Sequence, residues 1–454
     1  MSETFGIRGV IEGFYGTYYT FSERNDLISY AAKAGFNSYF YGPKQDRYHR
    51  DRWNEPYPAS VMDEFAKTVQ LAEQAGVTFW YVISPVSVTY SADADFVKIT
   101  NKLKLFYDLG VRAFGVFLDD IRHELSHAAD AGHFSSYAAA HVHLCNRLFV
   151  WLKELDERCQ LVMCPTDYHG VAPFSDYVRE LGDGLDAGIQ LLYTGPEICA
   201  KEISFSDAKG FTDAAKRKPI IWDNYPVNDL AMRSQMHIGP LLGRDARLHK
   251  AAAGYACNLM NEAEASKVVM LTVAEYLQDP AAYAPWEAWS RALASVGGSN
   301  VLDFLRLFGE NALVSCLMET EAVDLADRTQ QVMEALGTGS PDEVEAAFAH
   351  LESYLSQMDE ACYQLKNHMK NEVLRKELVP WIELMEFWQI AGQRAIDVLR
   401  LAKSGASYRR PLFRLREATA EIRKHAKQIC TNALQPLIDH TEAVVAEQEA
   451  VVEA

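Results

Sequence analysis

The chain has 454 residues, a formal net charge of −18 and a hydrophobic fraction of 49%. The length predicts more than one domain, and the hydrophobic fraction is typical of a globular protein with a substantial core. The acidic balance argues against nucleic-acid partners, which need a surplus of Lys and Arg on one face, and against anionic membrane surfaces.

Residues 1–285 alternate short β-branched or aromatic runs with longer amphipathic segments. Glycine often follows these segments, as at Gly35, Gly76 and Gly110, which is typical of helix ends. Strands that alternate with helices predict parallel pairing, and eight such units predict a closed (β/α)8 TIM barrel in an α/β fold. The predicted strands are Ile7–Glu12, Phe36–Tyr41, Val77–Ile83, Val111–Leu118, Gln160–Cys164, Gly188–Tyr193, Pro219–Trp222 and Gly254–Asn258.

Residues 286–454 carry long 3.6-residue periodicities without strand signals, which predicts an α-helical bundle. Ser340-Pro341-Asp342-Glu343 has the pattern of a capped helix start, and we expect that helix to run to about Lys376. Pro380 and Gly405 are expected to interrupt the segments that follow. The stretch Phe413–His440 predicts one further amphipathic helix.

The sharpest motif ends the fourth predicted strand, where Phe114–Leu118 runs directly into Asp119 and Asp120. Catalytic groups in such barrels come from the C-terminal ends of the strands. Adjacent strand residues point to opposite faces, so both carboxylates reach one pocket only if the chain turns there. Two close carboxylates predict a raised pKa for one of them, which would supply an acid beside a permanent anion. A divalent-metal site and a solvated Asp pair that caps the next helix are the alternatives.

Two other strand ends fit a sugar ligand. Trp222 offers a flat apolar face to a pyranose ring, and Asp223 and Asn224 offer hydrogen bonds to its hydroxyl groups. The alternative is a core tryptophan followed by an Asx-rich turn. Gly13, in the segment Glu12–Gly16, permits close approach of the backbone to a ligand, although an ordinary turn would look the same.

The histidines and cysteines form no recognised metal motif. His123 and His127 are spaced i, i+4, and His141 and His143 form an HxH, but neither pair matches an HExxH or Cys/His zinc pattern. The eight cysteines contain no CxxC pair, and we interpret them as buried free thiols. We therefore predict no metal and no cofactor.

Six motifs follow one another along the barrel region: Glu12–Gly16, Tyr41–Asp46, Phe117–Asp120, Cys164–Tyr168, Tyr193–Pro196 and Ile221–Asn224. In this order and at this spacing they resemble the O-GlcNAcase family. This is glycoside hydrolase family 84, which also includes bacterial enzymes historically called hyaluronidases. The resemblance spans about residues 5–285, and the later helices resemble the family's bundle with a weaker signal.

The resemblance implies an exo-β-N-acetylglucosaminidase that acts by substrate-assisted, retaining hydrolysis. In this chemistry the 2-acetamido oxygen of the sugar attacks C1 and forms an oxazoline. Asp119 would accept the acetamido N–H bond, Asp120 would be the general acid and then the general base, and Tyr168 would donate to the acetamido oxygen. The other implied substrate-binding residues are Gly13, Phe14, Tyr15, Lys44, Thr194, Ile198, Trp222, Asn224, Asp229 and Asn258.

Two other functions stay open at the level of sequence. One is a non-catalytic glycan-binding barrel, which would be indicated by damage to Asp119, Asp120 or Tyr168, and all three residues are present. The other is an endo-acting hydrolase that degrades hyaluronan.

The resemblance implies a partner that carries N-acetylglucosamine, either a glycoprotein, a peptide or a glycan. The C-terminal helices would either pair into a homodimer or buttress the barrel. The first residues lack the basic and apolar regions of a signal peptide, and no apolar run reaches the roughly 18 residues of a membrane span. We expect a cytoplasmic protein, with secretion as the alternative if a leader precedes this sequence.

Overall fold

The computed structural model describes residues 5–453, and eight strands in that range close into a parallel barrel in sequence order. Pairing of Ile7 with Gly254 joins the last strand to the first. All eight predicted strands are confirmed, with ends that differ by no more than two residues. They are β1 (Ile7–Glu12), β2 (Ser38–Tyr41), β3 (Thr78–Ile83), β4 (Ala113–Phe117), β5 (Gln160–Cys164), β6 (Ile189–Tyr193), β7 (Ile220–Asp223) and β8 (Gly254–Asn258).

Helices follow each strand, as the alternating pattern predicts. The first begins at a capping box, in which Thr20 accepts from the Glu23 backbone and Glu23 accepts in return, and it ends at Gly35 with φ 94°. The helices of this region are α1 (Phe21–Ala34), α2 (Ala59–Gln74), α3 (Asp93–Asp108), α4 (Ala128–His133), α5 (Tyr137–Leu155), α6 (Asp176–Gly184), α7 (Phe205–Ala215), α8 (Leu248–Ala251) and α9 (Ala263–Gln278).

The barrel interior is a packed apolar core. Alternate residues of each strand point inward, and Phe40 stacks on Trp80 with ring centroids 4.9 Å apart. Phe117 packs against Trp222 at 5.0 Å. The buried cluster is formed by Ile11, Phe40, Trp80, Val82, Ala113, Phe117, Val162, Cys164, Leu192, Ile220, Trp222 and Ala256.

A buried ion pair holds the end of β1. Glu12 is fully buried, and the Arg24 guanidinium of α1 donates to its two carboxylate oxygens at 2.7 and 2.9 Å. The hydroxyl of Tyr39 donates to the same carboxylate at 2.8 Å, and the backbone N–H of Tyr19 does so at 3.2 Å. A charge this deep is tolerable only because every partner is present.

The chain divides into two compact units. The first comprises the residues up to Leu230 together with Pro240–Ala288. The second comprises Ala231–Gly239 and the residues from Trp289 onward. Within the second unit, the indoles of Trp289 and Trp381 donate to backbone carbonyls of the 231–239 segment, at 2.7 and 3.0 Å. No sequence pattern signals this grouping, because it depends on partners far along the chain.

The C-terminal helices differ from the prediction in three places. The helix that starts after Ser340 ends at His368 rather than near Lys376. Pro380 does not interrupt its segment but lies inside a 32-residue helix, where the neighbours Leu378 and Trp381 are buried. The helices are α10 (Pro285–Gly297), α11 (Leu302–Glu310), α12 (Val323–Thr338), α13 (Pro341–His368), α14 (Glu372–Lys403), α15 (Arg409–Lys424) and α16 (Gln435–Glu453).

The third difference is that Phe413–His440 is not one helix but parts of α15 and α16. Between them, the backbone N–H of Cys430 donates to the Asn311 carbonyl at 3.0 Å, and that of Thr431 donates to Glu321 at 2.8 Å. In a continuous helix these two N–H groups would bond to carbonyls four residues earlier. Because they bond to distant residues instead, the predicted single helix is interrupted here. Among the described helices, none is long and apolar enough to cross a membrane.

We expect Arg24→Met to lower the free energy of unfolding by about 3–5 kcal/mol, because it leaves the Glu12 charge buried without its counter-ion. Denaturant unfolding followed by circular dichroism would measure the loss. The matched control is Arg47→Met, which breaks an exposed pair with Asp51 and should cost no more than about 1 kcal/mol. Equal losses in the two variants would contradict this account.

Candidate active site

A cavity of about 170 Å³ lies at the C-terminal ends of the strands. All predicted site residues except Phe14 line it. Its lining residues are Gly13, Tyr15, Lys44, Asp119, Asp120, Cys164, Tyr168, Thr194, Ile198, Cys199, Trp222, Asn224, Val227, Asp229, Leu230 and Asn258.

Asp119 and Asp120 enter the same cavity because the chain turns at this point. The backbone of Leu118 still pairs with β5, through a 2.9 Å hydrogen bond to the Cys164 carbonyl. Asp120 then adopts φ 49°, a left-handed conformation that Asp tolerates better than most residues. The turn that the sequence required for a shared pocket is therefore present.

Lys44 joins the two carboxylates. Its buried ammonium group donates a short hydrogen bond to Asp119 Oδ2 and lies 3.5 Å from Asp120 Oδ2. Asp119 is buried, and its other oxygen, Oδ1, has no hydrogen-bond partner. A buried acceptor without a partner is costly, so this oxygen marks a position where a ligand donor belongs.

Asp120 is the more exposed of the two, with a side-chain exposure of 31%. The Tyr15 hydroxyl donates to its Oδ2 at 2.8 Å, and the Tyr168 hydroxyl lies 3.4 Å from its Oδ1. Burial acts to raise the pKa of Asp120, but the Lys44 charge and the Tyr15 hydrogen bond outweigh it and hold that pKa below its usual value.

The expectation of an acid with a raised pKa in the Asp119–Asp120 pair is therefore wrong for Asp120 in this structure. The raised pKa is instead that of Asp229. Burial and the nearby charge of Asp120 raise it, against a backbone hydrogen bond from Tyr15 that acts to lower it. That bond, from the Tyr15 N–H to Asp229 Oδ2, is 2.7 Å long.

A chain of amide groups lines another part of the cavity. The Gly13 N–H donates to Asn258 Oδ1 at 3.1 Å, and the Asn258 amide donates to Asn224 Oδ1 at 3.0 Å. The Trp222 indole donates to the same Asn224 oxygen at 2.8 Å. The Asn224 amide donates to the Ile198 carbonyl at 2.8 Å. These bonds fix the orientation of Asn224 and Asn258 before any ligand binds.

Gly13 is required by close packing. A Cβ atom at this position would lie 2.8 Å from Cζ2 of Trp222 and 2.8 Å from Cγ2 of Ile11. Trp222 therefore packs directly against the backbone at the end of β1, where no side chain fits between them.

Two polar or aromatic candidates do not reach the cavity. Phe14 is fully buried and packs edge-on against Tyr19, with ring centroids 5.0 Å apart. The predicted substrate contact of Phe14 is therefore not available to its side chain, which lies in the core, whereas its backbone carbonyl accepts from the Lys44 N–H. Asp223 forms a buried two-pronged ion pair with Arg244, at 2.6 Å for each bond.

Four lining residues were not predicted: Cys164, Cys199, Val227 and Leu230. The position of Cys164 at the end of β5 is a signal that could have found it. Leu230 is a non-glycine residue with φ 49° and is 63% exposed, features that only the backbone reveals.

Across the part of the chain that the structure describes, no group of three or more His, Cys, Asp and Glu side chains is arranged to hold a metal ion. All eight cysteines are free thiols. His141 is buried between the hydroxyls of Tyr177 and Tyr90, at 2.8 and 3.0 Å. His123 lies 3.3 Å from Asp167 outside the cavity.

Comparisons with known sequences agree with this geometry. The β-N-acetylglucosaminidase family model matches residues 8–310. Protein O-GlcNAcase of Rattus norvegicus and that of Mus musculus are each 33% identical to the chain over 274 residues, which is 59% of this chain. The match covers 29% of the length of these relatives, so the chain spans less than a third of them.

Two solved structures are similar over nearly the whole chain. A mutant of the O-GlcNAc hydrolase of Thermobaculum terrenum has a TM-score of 0.90 at 28% identity, covering 98% of this chain and 97% of the other. CpGH84B has a TM-score of 0.85 at 26% identity, covering 96% and 77%. Because the family model also covers well over half of the 454 residues, the chain belongs to the β-N-acetylglucosaminidase family, glycoside hydrolase family 84, and is a glycoside hydrolase of this family.

Proposed function

We propose that this hydrolase is an exo-acting, retaining enzyme that removes terminal β-linked N-acetylglucosamine by substrate-assisted catalysis. The observation that carries the proposal is the free oxygen of Asp119. Lys44 occupies Oδ2, whereas Oδ1 of this cavity-lining residue is buried and has no hydrogen-bond partner. An acetamido N–H is a donor that fits this acceptor, and its bond would orient the acetamido oxygen toward C1 of the sugar.

In the first step, the acetamido oxygen attacks C1 while the bond from C1 to the leaving oxygen breaks. The charge that develops on the acetamido group lies against the carboxylate of Asp119, which stabilises it. Tyr168 supports this step as a donor to the acetamido oxygen, since its hydroxyl lines the cavity and makes only a long 3.4 Å bond to Asp120.

Asp120 donates its proton to the leaving oxygen in this step. In the second step, its carboxylate takes a proton from water, the water oxygen attacks C1, and the oxazoline opens to restore the acetamide with retention of configuration. The exposed position of Asp120 supports this role, because the leaving group and the water must both reach it. A bound sugar excludes water from this carboxylate, which favours its protonated form.

Sugar hydroxyl groups would bind to Lys44, Asn224, Asp229, Asn258 and the backbone at Gly13. Trp222, Thr194 and Ile198 would enclose the acetamido methyl group, since they supply the less polar part of the lining. The small volume of the cavity supports a single terminal sugar, hence exo cleavage. The names of the related proteins support O-linked N-acetylglucosamine on Ser or Thr of proteins as the substrate.

We expect an aryl β-N-acetylglucosaminide to be cleaved and the matching aryl β-glucoside, which lacks the acetamido group, to remain intact. The glucoside has no internal nucleophile and leaves Asp119 without its donor. Release of the aryl alcohol measures both rates, and equal rates would overturn the mechanism. Digestion of hyaluronan to oligosaccharides instead of monosaccharide release would indicate endo cleavage.

We expect Asp120→Asn to lower kcat/KM by about 10²–10⁴-fold for substrates with poor leaving groups, because general acid catalysis contributes that much. Activated substrates, such as a dinitrophenyl glycoside, need little proton transfer and should lose far less. The measurement is a series of aryl N-acetylglucosaminides of increasing leaving-group pKa. A uniform loss across the series would remove Asp120 from the acid role.

We expect Tyr15→Phe to move the basic limb of the kcat/KM pH profile to higher pH. The Tyr15 hydrogen bond stabilises the charged form of Asp120 and lowers its pKa, so its loss raises that pKa and keeps the acid protonated at higher pH. The matched control is Tyr18→Phe, a nearby tyrosine outside the cavity, which should leave the limb unchanged. A shift of the Tyr15→Phe limb to lower pH would contradict the assignment.

A further inference from the structure

Three cavities meet at Asp120. The first is the sugar cavity. The second, here called the Arg50 groove, has a volume of about 500 Å³ and is lined by Arg50, Val86, Tyr90, Ile121, Arg122 and His127 together with Asp120. The third, here called the Tyr168 groove, has a volume of about 440 Å³ and is lined by Asp167, Tyr168, His169 and Pro173 together with Asp120.

The position of these grooves relates them to the leaving group. If Asp120 protonates the leaving oxygen, the atoms bonded to that oxygen lie next to Asp120 and outside the sugar cavity. When the leaving group is a Ser or Thr within a peptide, the peptide backbone extends in two directions from the glycosylated residue. The two grooves that share Asp120 provide space for both directions, which favours a peptide over a compact leaving group.

The Arg50 groove contains one cation without a hydrogen-bonded or ion-pair partner among the described residues. The charge of Arg50 acts on Asp120 at longer range and helps to hold the pKa of that carboxyl below its usual value. Arg50 has no side-chain hydrogen bond or ion pair with any described residue, and its buried Nη1 has no partner. Its guanidinium lies 5.8 Å from the ring centroid of Tyr15, which supplies no acceptor oxygen to it.

The other charged groups of this groove already have partners. Arg122 pairs with Glu124 at 3.3 Å, and Asp51 pairs with Arg47 at 2.9 Å. The His127 ring nitrogen bonds to the Ser87 carbonyl at 3.2 Å. Asp120 itself accepts from Tyr15 and lies beside Lys44. Arg50 is therefore the group in the Arg50 groove that can take an additional anion.

We infer that Arg50 is a specificity-determining residue that binds the carboxylate of an Asp or Glu located near the glycosylated residue of a peptide substrate. This inference rests on the proposed function. A guanidinium matches a carboxylate with two parallel hydrogen bonds, and such charge-assisted bonds are the stronger ones in proteins. The chain would then remove the sugar faster from acidic segments than from neutral ones.

The test compares O-GlcNAc peptides that differ at a single position, with Asp or Asn placed in turn at each residue on either side of the modified Ser. For the unaltered protein we expect kcat/KM to be about tenfold higher for Asp than for Asn at one or more of these positions, as one charge-assisted hydrogen bond provides. In Arg50→Gln the two peptides should react at equal rates.

The matched control is Arg122→Gln, which removes a second arginine from the same groove, one that is already paired with Glu124. It should keep the preference for Asp. A charge reversal, Arg50→Glu, should instead favour a peptide with Lys at the same position. This gain of preference also shows that an altered chain is folded.

An aryl β-N-acetylglucosaminide, which has no carboxylate, separates recognition from an effect of Arg50 on Asp120. Recognition predicts that Arg50→Gln changes its kcat/KM by less than about threefold, whereas an effect through Asp120 alone would change the rates of all substrates by the same factor. Equal rates for Asp and Asn peptides in the unaltered protein, or a preference that persists in Arg50→Gln, would overturn the inference. Failure of the unaltered protein to cleave the aryl glycoside would instead overturn the proposed function.

Discussion

The ammonium group of Lys44 is the charge that allows two neighbouring carboxylates to share one cavity. It bonds to one oxygen of Asp119 and lies 3.5 Å from Asp120, so the like charges do not face each other without a cation between them. The same contact fixes the orientation of Asp119, whose second oxygen is buried and has no hydrogen-bond partner. The backbone N–H of Lys44 bonds in turn to the Phe14 carbonyl. The segments that follow β1 and β2 therefore position the two carboxylates that follow β4.

Buried ion pairs outside the cavity hold other parts of the site in place. Glu12 and Asp223 are the last residues of β1 and β7. They are bound by Arg24 and Arg244, and none of these four residues lines the cavity. The residues that follow, Gly13 and Asn224, then line the cavity. Each arginine thus fixes a strand end at a point where the chain leaves regular structure, and a site built on such anchored ends needs little rearrangement to bind a sugar.

Two carboxyl groups of the cavity have pKa values that are shifted in opposite directions. The charge of Lys44 and the Tyr15 hydrogen bond hold the pKa of Asp120 below its usual value, whereas burial and the charge of Asp120 hold the pKa of Asp229 above its usual value. Under the proposed mechanism Asp120 must carry a proton when the substrate is bound. A sugar that displaces water from this carboxylate shifts its protonation in the required direction, so substrate binding and acid strength become linked.

The sequence by itself determined the barrel, because eight short apolar runs, each followed by an amphipathic helix and often a glycine, allow few other arrangements. It also located Asp119, Asp120, Lys44 and Asn258 in the site, since the C-terminal ends of all strands in a parallel barrel lie at the same end of the barrel. Tertiary structure decided the rest. Phe14 points into the core, Pro380 lies inside a helix, and Arg50 has no ion-pair partner among the described residues. Packing and pairing of this kind depend on residues that are distant in the chain and leave no local pattern.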